Sequence, residues 1–478
     1  MPGMLVASVE RPPAFGAELR DYDDGAARQV GGVVAVVRVP QGVAVVARNS
    51  WAALEGRRAL RVTWDPPPDP VSSEALLTEF ERLAGVAGEV EAERGDPDAG
   101  IARADAIVEA DYALPFLDHA PMEPMNAVAR VDGDRVEVWV PTQVATAAQQ
   151  AAARVAGVEP GDVVLHSTLI GGGFGRRLRT DDVELAVEVA KRVDGPVQVL
   201  WTREDSIRNG FYRPLTYHRL RAGLRDGAPS GWTHRLVGAG SRGLVVSGAG
   251  QPPYRLPDLR VDYHLPETPV PVGAWRSVSY THLGFVIESF VDELAHAAGR
   301  DPYRFRQGLM TEPKLRAAMD LAAERAGWER GAPAGRALGI AAVSSFSSHV
   351  AEVADVSVRD GQVRVHKVVC GVHCGRVINP DTLRAQIEGG ITLALSYTLK
   401  HAITLEDGAV REGNFTDYPL LRMDEMPEVE VHVVPSTDPP TGIGEPPVPP
   451  LAAAVANAVF AATGRRIRRL PIRPEDLG

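Results

Sequence analysis

Thiols are almost absent from this chain: Cys370 and Cys374 are the only cysteines in 478 residues. Two thiols exclude a disulfide framework, a four-cysteine zinc site and the four thiolates that an iron–sulfur cluster takes, so any redox chain must continue in another subunit. A long apolar run is also missing. The longest, LAAAVANAVFAA at 451–462, contains Asn457 and is about half of what a bilayer span needs, so no transmembrane helix is expected. Basic excess is lacking, because the net charge is −11, which argues against a phosphate-backbone partner. The most basic stretch, RRIRRLPIR at 465–473, reads as a solvated helix end followed by a strand. The N-terminus, MPGMLVASVERPP, has no basic region followed by an apolar one, so no secretory signal is read there if residue 1 is the true start.

With 45% hydrophobic residues over this length the chain can bury a sizeable core, and two to four domains are expected. Residues 1–66 alternate β-type runs (VVAVVRV, GVAVVA) with one helical patch, SWAALEGRRAL, and end at the break WDPPPDP. They read as a small α/β domain. Residues 67–104 read as a linker with one helical segment, SSEALLTEFERLAGVAG. Residues 105–330 mix strands (AIVEADYAL, AVARV, RVEVWV) with helices (TAAQQAAARVAG, DDVELAVEVAKRV, FVIESFVDELAHAAG). After the Gly/Ala/Pro-rich break at 327–339, residues 331–478 open with alternating strands and close with a helix and a final strand. The fold class is α+β and multi-domain, with no internal repeat and no low-complexity tail.

Four local features carry candidate chemistry. LIGGGFGRRL at 169–178 places four glycines in five positions, which lets backbone approach a ligand closely and gathers N–H groups into a concavity suited to an anion. The capped helix expected after it adds a favourable field for negative charge. The loop matches neither a Walker A sequence nor GxGxxG, and a tight strand-to-helix turn explains it equally well. VPVGAWRSVSYTH presents Trp275 and Arg276 before a helix, where a flat, forked guanidinium would pair with a phosphate, orient a planar substrate, or sit in a buried ion pair. In CGVHCGRVINPDTLRAQIEGG the cysteines around His373 fit no common zinc spacing and read as buried structural thiols. The useful part is the INP turn, the helix carrying Gln386, and Gly389–Gly390. LDHAPMEPMNAVARV sets His119 and Glu123 four apart, but prolines between and after them rule out one helical face, so a hydrogen-bonded loop lining a pocket is expected.

One carboxylate stands apart from these. Glu445, in GIGEPPVPPLAAAVANAV at 442–459, is a lone charge among glycines, prolines and apolar residues. Its ordinary explanation is a helix-start residue attracted by the helix dipole.

In this order, PMEPMNA, PTQ, GGGFGRR, GAWRSV, CGRVINPDTLRAQIEGG and GIGEPPVPP resemble the large, molybdenum-binding subunit of the xanthine dehydrogenase/aldehyde oxidase family, and most of all its branch of isoquinoline 1-oxidoreductase beta subunits. The likeness runs over essentially the whole chain. It implies a hammerhead-like α/β domain followed by two mixed α+β molybdopterin-binding domains, at 105–330 and 331–478. It also implies a molybdopterin cofactor, in the cytosine dinucleotide form, that holds molybdenum through the pterin dithiolene rather than through protein ligands. Carried over motif by motif, Gly172, Gly173, Phe174, Gly175 and Arg176 would lie against the cofactor, and Gln143 would approach the metal's oxo ligand. Trp275, Gln386, Gly389, Gly390 and Gly444 fall on cofactor-binding segments, Arg276 on the arginine beside the pocket, and Glu445 on the catalytic glutamate. His373 stands where the family usually has Asp, and Ser277 where many xanthine dehydrogenases have Gly.

The activity implied is water-derived hydroxylation of an N-heterocyclic aromatic, or oxidation of an aldehyde to the acid, with Glu445 as the base. Electrons would pass to an iron–sulfur partner subunit with two [2Fe-2S] clusters. Relatives of the isoquinoline branch are longer, so a missing N-terminal segment, or a separate chain supplying it, is expected. The compartment implied is the cytoplasm, or the periplasm where an export signal precedes the chain. Two other readings stand beside this one: a truncated, non-catalytic homologue acting as an assembly or binding partner, and a generic nucleotide-binding α/β protein.

Overall fold

A computed structural model describes residues 1–477. Its core is organised by three sheets. The first has seven strands in the order 163–167, 135–140, 126–132, 197–200, 5–10, 42–47, 33–39. Its Val/Ala-rich strands bury both faces where the sheet is covered, and all six residues of Gly42–Ala47 are buried. Leu5–Ala7 pair in parallel with Val197–Val199, which fuses the N-terminal strands to those of the following segment. The boundary expected at residue 66 therefore does not separate two packed units. Residues 67–104 contain the expected helix, Ser73–Leu83, but also a strand, Glu89–Arg94, that forms one edge of the second sheet.

That five-stranded sheet runs 89–94, 259–264, 228–238, 216–225, 106–114 and carries the helix Tyr280–Ala297. Trp232 meets Phe290 edge-on at 4.9 Å, and Tyr112 meets Phe285 at 5.8 Å. The helix is buried along most of its length although it contains Glu288, Asp292 and Glu293. Buried charges must be paired, and each of these is. Arg306 Nε donates to Glu288 at 2.9 Å, Arg466 reaches Asp292 at 2.7 Å, and Arg468 reaches Glu293 at 2.6 Å. Arg466 and Arg468 of the basic stretch 465–473 are thus counter-ions rather than part of a solvated helix end, while Arg465, Arg469 and Arg473 are exposed. The stretch is extended, with a single bridge from Arg469 to Ala113, and the expected final strand does not form.

The third sheet, in the order 337–345, 348–359, 362–373, 428–433, is sandwiched by helices. On one face lies the Ala-rich helix Pro449–Thr463, so close that a Cβ on Gly339 would stand 2.1 Å from the Ala454 carbonyl oxygen. On the other face lies Pro313–Ala326, and a Cβ on Gly371 would stand 2.1 Å from the Ala318 oxygen. No helix among the described residues is long and apolar enough to cross a membrane.

Beneath the second sheet sit three buried imidazoles. His218 and His234 share a hydrogen bond of 3.0 Å, and His282 donates to the Val245 carbonyl at 2.8 Å. Burial, with smaller contributions from the neighbouring imidazoles and Arg213, holds His234 and His282 down at about 3 and His218 well below the usual histidine range. These groups are neutral in the native protein and take up protons when it unfolds below about pH 6.5. Their contribution is complete above that pH and is lost as the pH falls toward 3, by up to about 1.4 kcal/mol per histidine per pH unit. Denaturant titrations at pH 7 and pH 5 should show His234→Gln with a shallower loss of stability than the parent; an equal loss in both would exclude this account.

Candidate active site

The Gly-rich segment leaves the first sheet after Val163–Ser167 and crosses in front of it. Glu123 pins its start: the carboxylate accepts from Gly171 N at 2.9 Å and from Arg177 Nη2 at 2.8 Å. Arg177, buried under the loop, also donates to the carbonyls of Gly172, Pro141 and Glu123. The loop then turns through left-handed backbone at Gly172 (φ 97°), Phe174 (φ 54°) and Gly175 (φ 106°). Among the described residues the N–H groups of Gly172, Gly173 and Phe174 meet no protein acceptor, whereas Gly175 N donates to Gln143 Oε1 at 3.2 Å. Successive amides arranged this way form an anion-binding nest. Gln143 is exposed, and with its oxygen occupied it presents its amide NH2 outward.

Two of the expected cofactor contacts, Arg176 of this loop and Trp275, turn inward instead. Arg176 is buried, forks onto Asp181 at 2.8 and 2.7 Å, and lies over Trp201 and Phe211. It occupies the start of the helix Asp181–Ala190, whose expected cap is absent, since Thr180 Oγ1 donates to Glu184 rather than accepting from the helix. Trp275 is also fully buried, donating to the Asp118 carbonyl at 3.1 Å and meeting Tyr397 edge-on at 5.6 Å. Neither side chain reaches the cleft; both are buried behind the backbone that lines it.

A second wall comes from the segment before the helix Tyr280–Ala297. Arg276 N donates to the Phe174 carbonyl at 2.9 Å, joining this wall to the Gly-rich loop. The Arg276 guanidinium reaches the Gly444 carbonyl at 2.5 Å, and the carbonyl and side-chain oxygens of Gln386 at 3.0 and 3.1 Å. Gly390 lets the turn after Glu445 close in, because a Cβ there would stand 2.9 Å from Pro447 Cγ, whereas Cβ atoms on Gly389 and Gly390 would make only ordinary contact with the guanidinium, at 3.8 and 3.6 Å. Their helix, Pro380–Leu399, is set by the INP turn, with Asn379 accepting from Asp381 N and Thr382 N and Pro380 in the first turn. Burial lowers the Arg276 pKa, and the nearby Glu445 charge works against that shift.

Glu445 is held by Ser277 twice. Its Oε1 accepts from Ser277 N at 2.9 Å, and its own carbonyl accepts from Ser277 Oγ at 2.7 Å. Ser277 (φ 80°) and Val278 (φ 50°) both adopt left-handed backbone, a conformation that costs about 1–3 kcal/mol per non-glycine residue and clusters at functional sites. A glycine at 277 would relieve that strain but could not donate the hydroxyl hydrogen bond. The helix-start explanation of Glu445 does not hold. The helix begins at Pro449–Pro450, which have no N–H to offer, and its cap residue is Val448. The carboxylate makes no cap hydrogen bond to that helix, and its Oε2 is uncommitted among the described residues.

Glu445, Arg276, Gln386, Gly389, Gly390 and Gly444 thus meet at one place, and Gly172–Gly175 with Gln143 adjoin it through the Arg276–Phe174 hydrogen bond. Ser277 and Arg177 adjoin this cluster without being singled out as site residues in the sequence; Ser277 stands out there only as a departure from glycine, and the buried role of Arg177 has no local sequence signal, whereas Glu123, expected in a hydrogen-bonded pocket-lining loop, bonds Gly171 and Arg177. His119, expected in a pocket-lining loop, packs its Nε2 on the Ala274 carbonyl at 2.8 Å. Burial pushes its neighbour Asp118 up to about 6. The cysteines are free and buried, and no group of three or more His, Cys, Asp or Glu among the described residues is placed to hold a metal.

Two stretches, 81–309 and 288–427, match families described as molybdopterin cofactor-binding domains. The chain is 33% identical to the beta subunit of isoquinoline 1-oxidoreductase from Brevundimonas diminuta, over 99% of this chain and 65% of that protein. It is 30% identical to a subunit of nicotinate dehydrogenase from Pseudomonas putida, over 99% of this chain and 44% of that one. It therefore spans about two thirds or less of the length of these relatives. The fold matches quinoline 2-oxidoreductase from Pseudomonas putida 86 with a TM-score of 0.86 at 15% identity, covering 100% of this chain and 94% of that one. It also matches aldehyde oxidoreductase from Desulfovibrio gigas with a TM-score of 0.85 at 16% identity, covering 100% of this chain and 77% of that one.

Proposed function

This chain belongs to the molybdopterin-binding family of large oxidoreductase subunits, and on that premise we propose that it is the catalytic chain of a molybdenum hydroxylase acting on an N-heterocyclic aromatic or an aldehyde. The observation that carries this reading is the Glu445 carboxylate, oriented by Ser277 through one oxygen and free at the other, beside Arg276.

The residues present fit the cofactor. The amides of Gly172–Phe174 and the side-chain NH2 groups of Gln143 and Gln386 are donors without a protein acceptor, which suits an anionic, oxygen-rich group. When bound, molybdopterin supplies the two-electron redox chemistry that no side chain here can perform. Glu445 would accept, at its uncommitted Oε2, the proton of a water-derived oxygen beside the cofactor, whose two-electron chemistry would take up the hydrogen and electron pair of the substrate C–H bond. The Ser277 N–H fixes the direction of that carboxylate, so no rotamer search precedes the transfer. Arg276 holds the Gly444 carbonyl, and with it the Glu445 turn, against the helix that carries Gln386. The cofactor is proposed in its cytosine dinucleotide form. Electrons are proposed to leave to an iron–sulfur partner, since this chain's two thiols, Cys370 in the third sheet and Cys374 just after its strand, are buried and cannot hold a cluster.

Purified from a host that makes the cofactor, the protein should carry about one molybdenum per chain and release cytidine monophosphate on acid hydrolysis. A folded protein without molybdenum would favour the reading as a non-catalytic homologue.

A further inference from the structure

A second cavity, of about 430 Å³, lies between segment 10–17, the helix Arg203–Arg208 with Asn209, and residues 408–410. Its size falls within the range of small-molecule sites, about 300–1,000 Å³. Three acidic and three basic side chains line it. The acids are all engaged. Arg57 forks onto Asp205 at 2.7 and 2.8 Å and reaches Glu10 at 2.7 Å, while Glu204 accepts from Asn414 at 2.7 Å. Arg208 is exposed, makes no hydrogen bond or ion pair among the described residues, and rests against Gly413, in the field of Asp417.

Arg11 is different. Among the described residues its guanidinium makes no hydrogen bond and no ion pair, and its Nη2 is buried without a partner. It lies flat on the Trp201 ring at 3.6 Å, which fixes the plane of the fork. Asp205 and Asp181 contribute favourable fields but no contact, and burial lowers its pKa only to about 10, so it stays charged at neutral pH. A partly buried, unpaired guanidinium is costly unless something pairs with it.

We propose that this cavity binds a small organic monocarboxylate, whose carboxylate forks onto Arg11 and whose carbon body lies against Pro12, Pro13, Phe15 and Val410. One uncommitted guanidinium matches one carboxylate in charge and in geometry. A phosphate dianion fits less well, because Arg57 is already occupied, Arg208 is exposed to solvent, and Glu10, Glu204 and Asp205 stand in the same wall. Trp201 also lies 5.4 Å from Arg176, the residue that follows Gly175, so the site backs onto the support of the Gly-rich loop.

The test is calorimetric titration of the purified chain with benzoate and, separately, with inorganic phosphate. Benzoate should bind with a Kd at or below about 1 mM. Arg11→Gln should weaken it at least about tenfold, Arg11→Lys should weaken it less, and Arg276→Gln should leave it unchanged. Phosphate should not compete. Thermal melts confirm that each variant is folded, and the lysine variant serves if the glutamine variant is not. Absence of benzoate binding, binding that survives both Arg11 variants, binding lost on Arg276→Gln, or phosphate binding as tight as benzoate overturns the proposal. None of these readouts needs molybdenum, so they stand or fall apart from the catalytic assignment.

Discussion

Gly175→Ala should yield a folded protein carrying about a tenth or less of the parent's molybdenum. Gly175 has φ 106°, and a Cβ added there would stand 1.9 Å from the Ala274 carbonyl oxygen and 3.3 Å from His119 Nε2. Neither neighbour can yield cheaply. Ala274 is backbone directly ahead of Trp275 and Arg276, and His119 is buried and already bonded to that same carbonyl. To admit one methyl group, the Gly-rich loop and the Arg276 wall must part where the Arg276 N–H meets the Phe174 carbonyl. Left-handed backbone strain alone costs about 1–3 kcal/mol for a non-glycine residue. If that cost falls on the bound geometry, each 1.4 kcal/mol removes about a factor of ten in affinity. Gly442→Ala is the control: it lies three residues before Glu445, and a Cβ there would meet nothing within 4 Å. Metal analysis and thermal melts on both variants check the expectation, and full molybdenum in Gly175→Ala would remove the cradle role assigned to this loop.

The features that make the site legible in the sequence are those whose chemistry is local. Four glycines in five positions announce close backbone approach wherever they sit, and a carboxylate framed by Gly and Pro is anomalous from its chain neighbours alone. The Asn-Pro start of the helix carrying Gln386 is a capping signal of the same kind. Long-range pairing is not legible. Nothing in RRIRRLPIR says that Arg466 and Arg468 answer Asp292 and Glu293, some 170 residues earlier, so the stretch reads as solvated surface. The parallel pairing of Leu5–Ala7 with Val197–Val199 is equally silent, because a strand's residues state that it is buried, not which strand lies beside it. Arg176 and Arg177 show the limit most sharply. Adjacent and chemically identical, they look alike as candidate anion ligands, yet both are buried and spent on the protein itself, one on Asp181 and one on the underside of the loop.

Glu445→Gln tests the central claim most directly. Glutamine keeps the size of the side chain and an oxygen that can accept from the Ser277 N–H, so the turn and the cofactor cradle should persist. What it loses is the ability to take a proton. The measurement is turnover of an N-heterocyclic or aldehyde substrate normalised to bound molybdenum. The account predicts unchanged molybdenum and a rate per molybdenum lower by about 10²–10⁴-fold, the range that positioned acid–base catalysis contributes. A variant that turns over at the parent's rate per molybdenum would contradict it.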